Sequence, residues 1–503
     1  MNEYNWFTGN KIRVGIYGES HSPSIGVCLE GLDYDKLDTT ALAAFMKSRA
    51  PGQNSWSTPR KEEDSVVVDL LQNGLFKAHI DNTNIKPNDY TNLLITPRPG
   101  HADFTARLKY GEDFKSSGGG AFSGRMTAPL CIAGFLAKSF LEEKGIKIFA
   151  HIKSIAGVKD ETYNFDDRTN EEDFLKKLEE VSKKEFAVID DAAGEQMKEK
   201  IAKAREQGDS VGGTIEVVIQ GMPGGIGGPI FEGIEARIAE LCFAVPACKG
   251  VEFGNGFEAA ELTASTNNDA FVFADISGQV FEENLVSSRS ERLPEALEGP
   301  QLTLHSNRCG GILGGISIGG TVAPIVFDVA VKPTPTISKE QTTVNLETKE
   351  NTTITVGGRH DPCIVPRAVP VYEAVAAIAL VDIILSGGVL REPQQPQCIA
   401  GSKVKTVVPE ALEGPQNEAT LSDLRTQIDQ ADEQLLAALA KRMEVAEKIG
   451  LLKKQEGKPV LDTSREAQKL ESIYEKTDER TKPYIKDIYK KLFEASRDLQ
   501  SKI

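Results

Sequence analysis

Only four of the chain's 45 glycines lie beyond Gly388, and that break constrains the fold more than any other feature. Glycine supplies the positive φ that tight turns need, so a glycine-rich stretch suits short strands and loops. A glycine-poor stretch suits long helices. Before the break, short apolar runs such as Ser65 to Leu71 and Thr214 to Ile219 sit between Gly-rich turns. That pattern predicts a mixed, α+β domain. After it, Arg391-Glu392-Pro393-Gln394-Gln395-Pro396-Gln397 reads as a linker, and from Leu421 the periodicity is purely helical. The expected organisation is a large domain at 1–390, a linker at 391–418 and a small all-α domain at 419–503.

Composition narrows the function classes. The 503 residues are 40% hydrophobic and 26% charged, and no apolar run reads as long enough to span a membrane. Met1 to Asn10 lacks the basic stretch and apolar core of a secretory signal. Seven scattered cysteines without a C-x-x-C pair point to reduced thiols in a cytoplasm and to no metal site. A net charge of −16 disfavours nucleic acid or an acidic membrane as partner. A local cluster of arginines can still reverse the field inside a cleft.

Three of the six histidines lie in stretches dense in Gly, Pro and Arg: Gly18-Glu19-Ser20-His21, Arg98-Pro99-Gly100-His101-Ala102-Asp103 and Gly358-Arg359-His360-Asp361-Pro362-Cys363. An imidazole on fixed irregular backbone can give or take a proton near neutral pH. Arginine beside it attracts phosphate or carboxylate. Together they suggest proton transfer on an anionic substrate. Gly118-Gly119-Gly120 precedes a run from Ala121 to Lys144 that reads as a helix closed by Gly145, with an anion site natural at its start. A second helix is expected from Val369 to Leu385, carrying Asp382 among apolar neighbours. That carboxylate is either a base raised by burial or a cap for a neighbouring element. No Walker loop or strand-linked dinucleotide fingerprint is present.

One octapeptide, Pro-Glu-Ala-Leu-Glu-Gly-Pro-Gln, occurs at Pro294 to Gln301 and again at Pro409 to Gln416. Docking of both copies to equivalent grooves and duplication of a loop sequence are the two readings.

Taken together, the segments of the large domain resemble chorismate synthase. The resemblance rests on G-E-S-H at 18–21, R-P-G-H-A-D at 98–103, G-D-S-V-G-G at 208–213, K-G-V-E-F-G at 249–254, G-G-I-L-G-G at 310–315, K-P-T-P at 332–335 and G-R-H-D-P-C at 358–363. It implies a 1,4-elimination of phosphate from 5-enolpyruvylshikimate 3-phosphate to give chorismate, with reduced FMN as cofactor and NADPH as a candidate reductant. It implies two antiparallel four-stranded sheets sandwiched with helices, assembled as a homotetramer. By the same resemblance, His21 lies near the departing phosphate, His101 near the flavin, and Asp382 works with the flavin in removing the hydrogen. Arg49, Arg60, Arg125, Arg359 and Arg367 line the anionic site. Ser123, Pro246, Ala247, Gly314, Lys332, Pro333, Thr334, Pro335, Thr336 and Arg359 form the flavin pocket.

The chain departs from the family pattern in places. Gly120-Ala121-Phe122-Ser123 stands where many members read G-G-G-R-S-S, and Ser55 replaces another common Arg. The segment from about Ala274 to Leu304 is longer than usual.

In the tail, Leu421, Leu424, Ile428, Ala431, Leu435, Ala438, Arg442, Val445, Ile449 and Leu452 repeat at alternating spacings of three and four, a coiled-coil-like seam. One helix from 421 to 453 would be about 50 Å long, which predicts pairing with a second chain. Arg442 interrupts the seam and calls for an acidic residue or an anionic ligand. Arg425 lies about 25 Å along the same rod, so it can meet Arg442 only across an antiparallel dimer. Gly457 and Pro459 break this helix, and Thr463 with Glu466 fits a capping box at the next.

Residues 419–503 resemble the all-helical chorismate mutase family through Leu424-Arg425, Arg442, Lys453, Asp462, Arg465, Glu466 and the pair Ser496 and Gln500. The resemblance implies that Arg425, Arg442 and Arg465 meet the substrate carboxylates, and that Lys453 and Gln500 face the ether oxygen. Glu466 holds the ring hydroxyl, and Asp462 and Ser496 complete the substrate site. Rearrangement of chorismate to prephenate needs only a held conformer and stabilised charge. Three readings of the tail stay open: a mutase catalyst, a chorismate- or prephenate-sensing module that controls the first activity, and a dimerisation rod.

Overall fold

The computed structural model describes residues 4–34, 36–52, 54, 56–58, 64–72, 74–82, 93, 95–111, 119–274, 301–320, 322–357, 360–387, 439, 441–457, 459, 463–475 and 482–501. The chain divides into two compact units, Met1–Ala400 and Gly401–Ile503. Both copies of the octapeptide fall outside the described residues, apart from the backbone of Gln301.

The large unit is built on two antiparallel sheets. The first orders β1 (Asn5–Thr8), β2 (Arg13–Tyr17), β3 (Ser24–Glu30), β5 (Leu75–Asp81) and β4 (Val66–Gln72). The second orders β7 (Val158–Lys159), β6 (Lys147–Ile155), β8 (Gly213–Gln220), β14 (Ile325–Val331) and β9 (Cys248–Phe253). Each has one strand more than the four expected, because a short edge strand is added: β1 has four residues and β7 two.

Alternation decides which face each strand buries. In β5, Phe76, Ala78 and Ile80 point inward and Lys77 and His79 do not. In β14 both faces are covered: Ile325, Phe327, Val329 and Val331 join the main core, while Val326 joins a second cluster with Phe149, Tyr163, Phe174, Leu178 and Val218.

Helices fill the space between the sheets. Helix α3 (Thr127–Glu142) packs on β2, β3 and β5, helix α8 (Val365–Gly387) packs on β6 and β8, and the two pack on each other. Helices α1 (Thr39–Arg49) and α6 (Ile234–Ala244) flank α8. The α3–α8 approach is close: a Cβ on Gly134 would come within 2.2 Å of the Ala374 Cβ. The α-helix expected from Ala121 starts only at Thr127, after 3-10 turns at Gly120–Phe122 and Gly124–Met126. The chain beyond it turns at Gly145, with φ +78°.

The sequence reading found no apolar run of membrane-spanning length, and α8 corrects it. Its 23 residues are long and apolar enough by composition, but 94% of that window is buried inside the protein. The second sheet and helices α1, α3 and α6 here take the place of lipid. No other helix among the described residues has that length and composition.

In the smaller unit, residues 441–455 form a helix, α9, followed by α10 (Thr463–Glu475) and α11 (Lys482–Ser501). The seam residues Val445, Ile449 and Leu452 of α9 are all exposed, whereas Ala446 is buried. The first half of the expected long helix, with Arg425, lies outside the described residues.

Candidate functional site

A cleft of about 680 Å³ opens in the large unit where several glycine-rich loops converge. It is lined by Arg49, Arg98, Arg125, Lys249, Lys332 and Arg367, by His21, His101 and His360, and by one carboxylate, Asp361. In a chain of net charge −16 this is a local reversal of sign, as an anionic substrate requires.

The first loop reaches the cleft from β2. Gly18 takes φ +92°, and a Cβ there would meet the Ser24 carbonyl at 2.5 Å. Ser22 Oγ accepts from the Glu19 N–H at 2.8 Å and donates to the Ser24 carbonyl at 2.7 Å. Asn82 Nδ2 donates to the Ser22 carbonyl at 2.7 Å, so the segment carrying His21 is tied down. Residues Gly119, Ala121 to Arg125 and Thr127 bring the α3 entrance to the same cleft. Backbone N–H groups at a helix entrance favour negative charge.

The second loop carries His101. Its Nδ1 lies 2.6 Å from Asp103 Oδ1 and 3.1 Å from Arg98 Nη2. Arg98 Nε and Nη2 both donate to Asp103, at 2.8 and 2.7 Å. Burial pushes the Asp103 carboxyl up, but the hydrogen bonds from Arg98 and His101 outweigh it and hold it far below the usual carboxylate range. Arg98 Nη1 also donates to Thr336 Oγ1 at 3.1 Å, and Lys332 Nζ to the Gly100 carbonyl at 2.7 Å. These contacts join the histidine loop to the segment 332–336. Burial, with Lys249 nearby, lowers the Lys332 pKa.

The third set surrounds Asp361. Its Oδ1 accepts from the Thr58 N–H at 3.0 Å, and its Oδ2 from Arg367 Nη1 at 2.7 Å. Thr334 Oγ1 donates to the Asp361 carbonyl at 2.6 Å. Arg367 Nε donates to the Arg49 carbonyl at 3.1 Å. His360 Nε2 lies 2.9 Å from the Val356 carbonyl, and burial lowers its pKa.

The cleft therefore gathers His21, His101, Arg49, Arg125, Arg367, Ser123, Pro246, Ala247, Lys332, Thr334, Pro335 and Thr336 from the expected site. Three expected residues do not line it. Asp382 is fully buried near the far end of α8, where it accepts the Asn10, Lys11 and Ile12 N–H groups at 3.0, 2.8 and 3.1 Å. Arg237 Nε stands 3.5 Å from it. It caps a neighbouring loop, the arrangement described by the second of the two readings of this carboxylate. Gly314 takes φ +61° between β12 (Ile312–Leu313) and β13 (Ile316–Ser317), outside the cleft. Pro333 packs toward Gly212, where an added Cβ would meet its Cδ at 2.9 Å. Arg60 and Arg359 lie outside the described residues, as does Ser55.

Sequence reasoning missed Asp361, although it sits in the quoted G-R-H-D-P-C motif, because only the His and Arg there were weighed. It also missed Asp64, which bridges Arg49 and Arg125 behind the cleft. Asp64 ends the charged run Lys61-Glu62-Glu63, which on sequence looks like a solvated loop.

In the smaller unit, Arg442 Nη1 donates to Ser496 Oγ at 2.6 Å and to the Leu492 carbonyl at 3.1 Å. The guanidinium stands 5.8 Å from the Phe493 ring centroid. Arg497 Nη1 holds both oxygens of Glu466 at 2.6 Å, a partner the sequence reading did not identify. Lys453 and Gln500 are half-buried and Arg465 is exposed; Arg425 and Asp462 lie outside the described residues.

Comparison with known proteins separates the two units. The family model of chorismate synthase matches residues 12–385, and that of chorismate mutase type II matches residues 424–501. A chorismate synthase of Lancefieldella parvula is 39% identical over 391 residues, covering 75% of this chain and 96% of its own length. One from Methanocaldococcus jannaschii is 38% identical over 401 residues, covering 77% and 97%. A crystal structure of chorismate synthase superposes with a TM-score of 0.53 at 24% identity, covering 75% of this chain and 92% of that one, and so supports the fold. The chain belongs to the chorismate synthase family and carries, at residues 424–501, a chorismate mutase type II domain.

Proposed function

We propose that the chain is a bifunctional enzyme that eliminates phosphate from 5-enolpyruvylshikimate 3-phosphate to give chorismate, then rearranges chorismate to prephenate. The observation that carries the first activity is the gathering of His21, His101 and six cations around one cleft in an acidic chain. Arg49, Arg125 and Arg367 would hold the phosphate and carboxylates, with Arg60 and Arg359 as further expected partners. His21 would give a proton to the departing phosphate. An Nδ1–H donated by His101 to Asp103 leaves Nε2 as the nitrogen that exchanges a proton. The carboxylate at the reacting end would be Asp361, in place of Asp382.

The same cleft suits reduced FMN. Ile364, Ala368 and Val371 of the α8 region give it an apolar wall, and Ala247, at φ +75°, turns backbone toward it beside Val245 and Pro246. Lys249 and Lys332 offer cations to the cofactor phosphate, and Ser123 and Thr334 to Thr336 offer polar groups. When bound, the reduced flavin supplies electron density without net redox change, with NADPH as candidate reductant.

Rearrangement in the smaller unit would use Arg442, Lys453, Arg465, Glu466, Ser496 and Gln500, with Arg425 from a second chain and Asp462. The exposed seam of Val445, Ile449 and Leu452 supports pairing of two such units. On the large unit, Ile230, Phe231 and Phe257 are more than four-fifths exposed, which supports the homotetramer. A cytoplasmic location goes with both activities.

The test is direct. Full-length protein with reduced FMN and enolpyruvylshikimate phosphate, kept anaerobic, should release phosphate, then form chorismate and prephenate. No phosphate release overturns the first activity. Chorismate that accumulates without prephenate, while added prephenate changes the first rate, makes the smaller unit a sensor instead.

A further inference from the structure

Behind the cleft wall, one carboxylate holds two arginines. Asp64 Oδ2 accepts from Arg49 Nη1 at 2.6 Å, and Asp64 Oδ1 accepts from Arg125 Nη1. The Asp64 side chain is wholly buried, and Arg49 and Arg125 are only 1% and 6% exposed. Two buried guanidiniums that share one neighbour repel each other, and a charge between them offsets that repulsion. Burial pushes the Asp64 carboxyl up, yet Arg49 and Arg125 outweigh burial and lower its pKa.

The other contacts of the two arginines are also fixed. Arg49 Nε donates to Thr127 Oγ1 at 3.2 Å, and its Nη2 to the Gly124 carbonyl at 3.0 Å. Arg125 Nε and Nη2 both donate to Asn82 Oδ1 at 3.2 Å. Asn82 in turn anchors the His21 segment, and the Arg49 carbonyl anchors Arg367. Asp64 is thus the common point of a network that reaches both sides of the cleft. It also takes φ +49°, a left-handed backbone that non-glycine residues rarely adopt. Strain of that kind persists only where its surroundings enforce it.

We propose that Asp64 is the positioning residue that sets Arg49 and Arg125 side by side as one anion cradle. Its charge offsets their mutual repulsion and keeps both guanidiniums beside the cleft. This rests on the reading of that cleft as the phosphate site. Asp64 does not touch substrate; it acts through the two guanidiniums.

The test compares wild type with Asp64→Asn and Asp64→Glu as full-length proteins. Two measurements are made on each: inorganic phosphate binding by calorimetry, and the steady-state KM and kcat for enolpyruvylshikimate phosphate. Asp64→Asn puts an amide N–H₂ against one guanidinium, so phosphate affinity should fall and KM rise by about 10- to 100-fold, more than kcat falls. Asp64→Glu, which restores the charge, should recover part of both. Unchanged phosphate affinity in Asp64→Asn overturns the proposal. Tighter phosphate binding also overturns it, making Asp64 a competitor of the substrate. Unfolding of Asp64→Asn would show as lost FMN uptake, and Asp64→Glu then decides alone: wild-type affinity and KM support a charged clamp, and a folded Asp64→Glu without phosphate affinity overturns it. If wild type binds phosphate but makes no chorismate, the functional reading fails while the clamp is still judged by calorimetry.

Discussion

His101 Nδ1 lies 2.6 Å from Asp103 Oδ1, at the first residue of α2 (Asp103–Tyr110). The carboxylate also grips Arg98, so one aspartate sets both the tilt of the imidazole and the cation beside it. Replacing His101 or His21 by Ala should lower chorismate formation by about 10²- to 10⁴-fold. Asp103→Asn should cost less, about tenfold, since it loosens the hold on His101 and Arg98 and leaves both side chains in place. Prephenate formation from added chorismate is the control and should hold its rate in all three. Equal loss of both activities would mean misfolding.

Asp382 should matter to stability and not to chemistry. Asp382→Ala leaves three N–H groups without their acceptor and takes the carboxylate from beside Arg237, which keeps Glu240, a loss of about 3 kcal/mol. The melting temperature should drop, while kcat of the folded fraction at low temperature stays near wild type. A folded Asp382→Ala protein with no chorismate formation would return this residue to the active site.

The outer face of the second sheet carries a charged ladder that the proposed chemistry does not use. His151 faces Glu216, Glu216 faces Asp328, and Asp328 faces Glu252 across four strands, with Lys153 and Asp160 alongside. Burial pushes the His151 pKa down, but the Asp160 carboxylate 3.4 Å from Nδ1 and Glu216 hydrogen-bonded at Nε2 outweigh it and raise it to about 9. Burial and Glu216 raise Asp328 to about 7. Both groups hold protons more tightly folded than unfolded. The His151 contribution is whole below its unfolded value of 6.5 and is lost as pH climbs through about 9; that of Asp328 is whole below 3.8 and lost through about 7. The ladder should therefore weaken as pH rises from about 4 to about 9, the Asp328 part first and the His151 part last. Thermal melts across that range should show the decline, and Asp328→Asn should remove its lower part.

Arg442 should divide the two activities. Arg442→Ala removes the cation held by Ser496 and should depress prephenate formation by about 10²-fold or more, leaving phosphate release unchanged. Arg497→Ala, which frees Glu466, should cost less and act mainly on KM, read by chorismate saturation curves. An Arg442→Ala protein with normal prephenate formation would remove the seam arginine from catalysis.

The scaffold was legible where pattern and packing agree. Strand β8 and the helices α3 and α8 follow from apolar runs and glycine punctuation, and His21 and His101 follow from loop composition. What was not legible depends on direction in space. Asp382 and Asp361 are both carboxylates near α8, and only tertiary packing sends one to the loop at Asn10 and the other to Thr58. Likewise, nothing in a run of Lys and Glu marks Asp64 as the buried member, because its partners Arg49 and Arg125 are distant in sequence.

Helix α8 is apolar on nearly every side, yet it is among the last elements of its unit to leave the ribosome. Until it emerges, a nascent chain displays the inner face of β6 and β8 and the crossing surface at Gly134 without the helix that covers them. Completion of the large unit thus resembles the insertion of a bolt: one late segment converts an adhesive, open precursor into a closed body. Truncation within that segment should send the product to chaperones or aggregates.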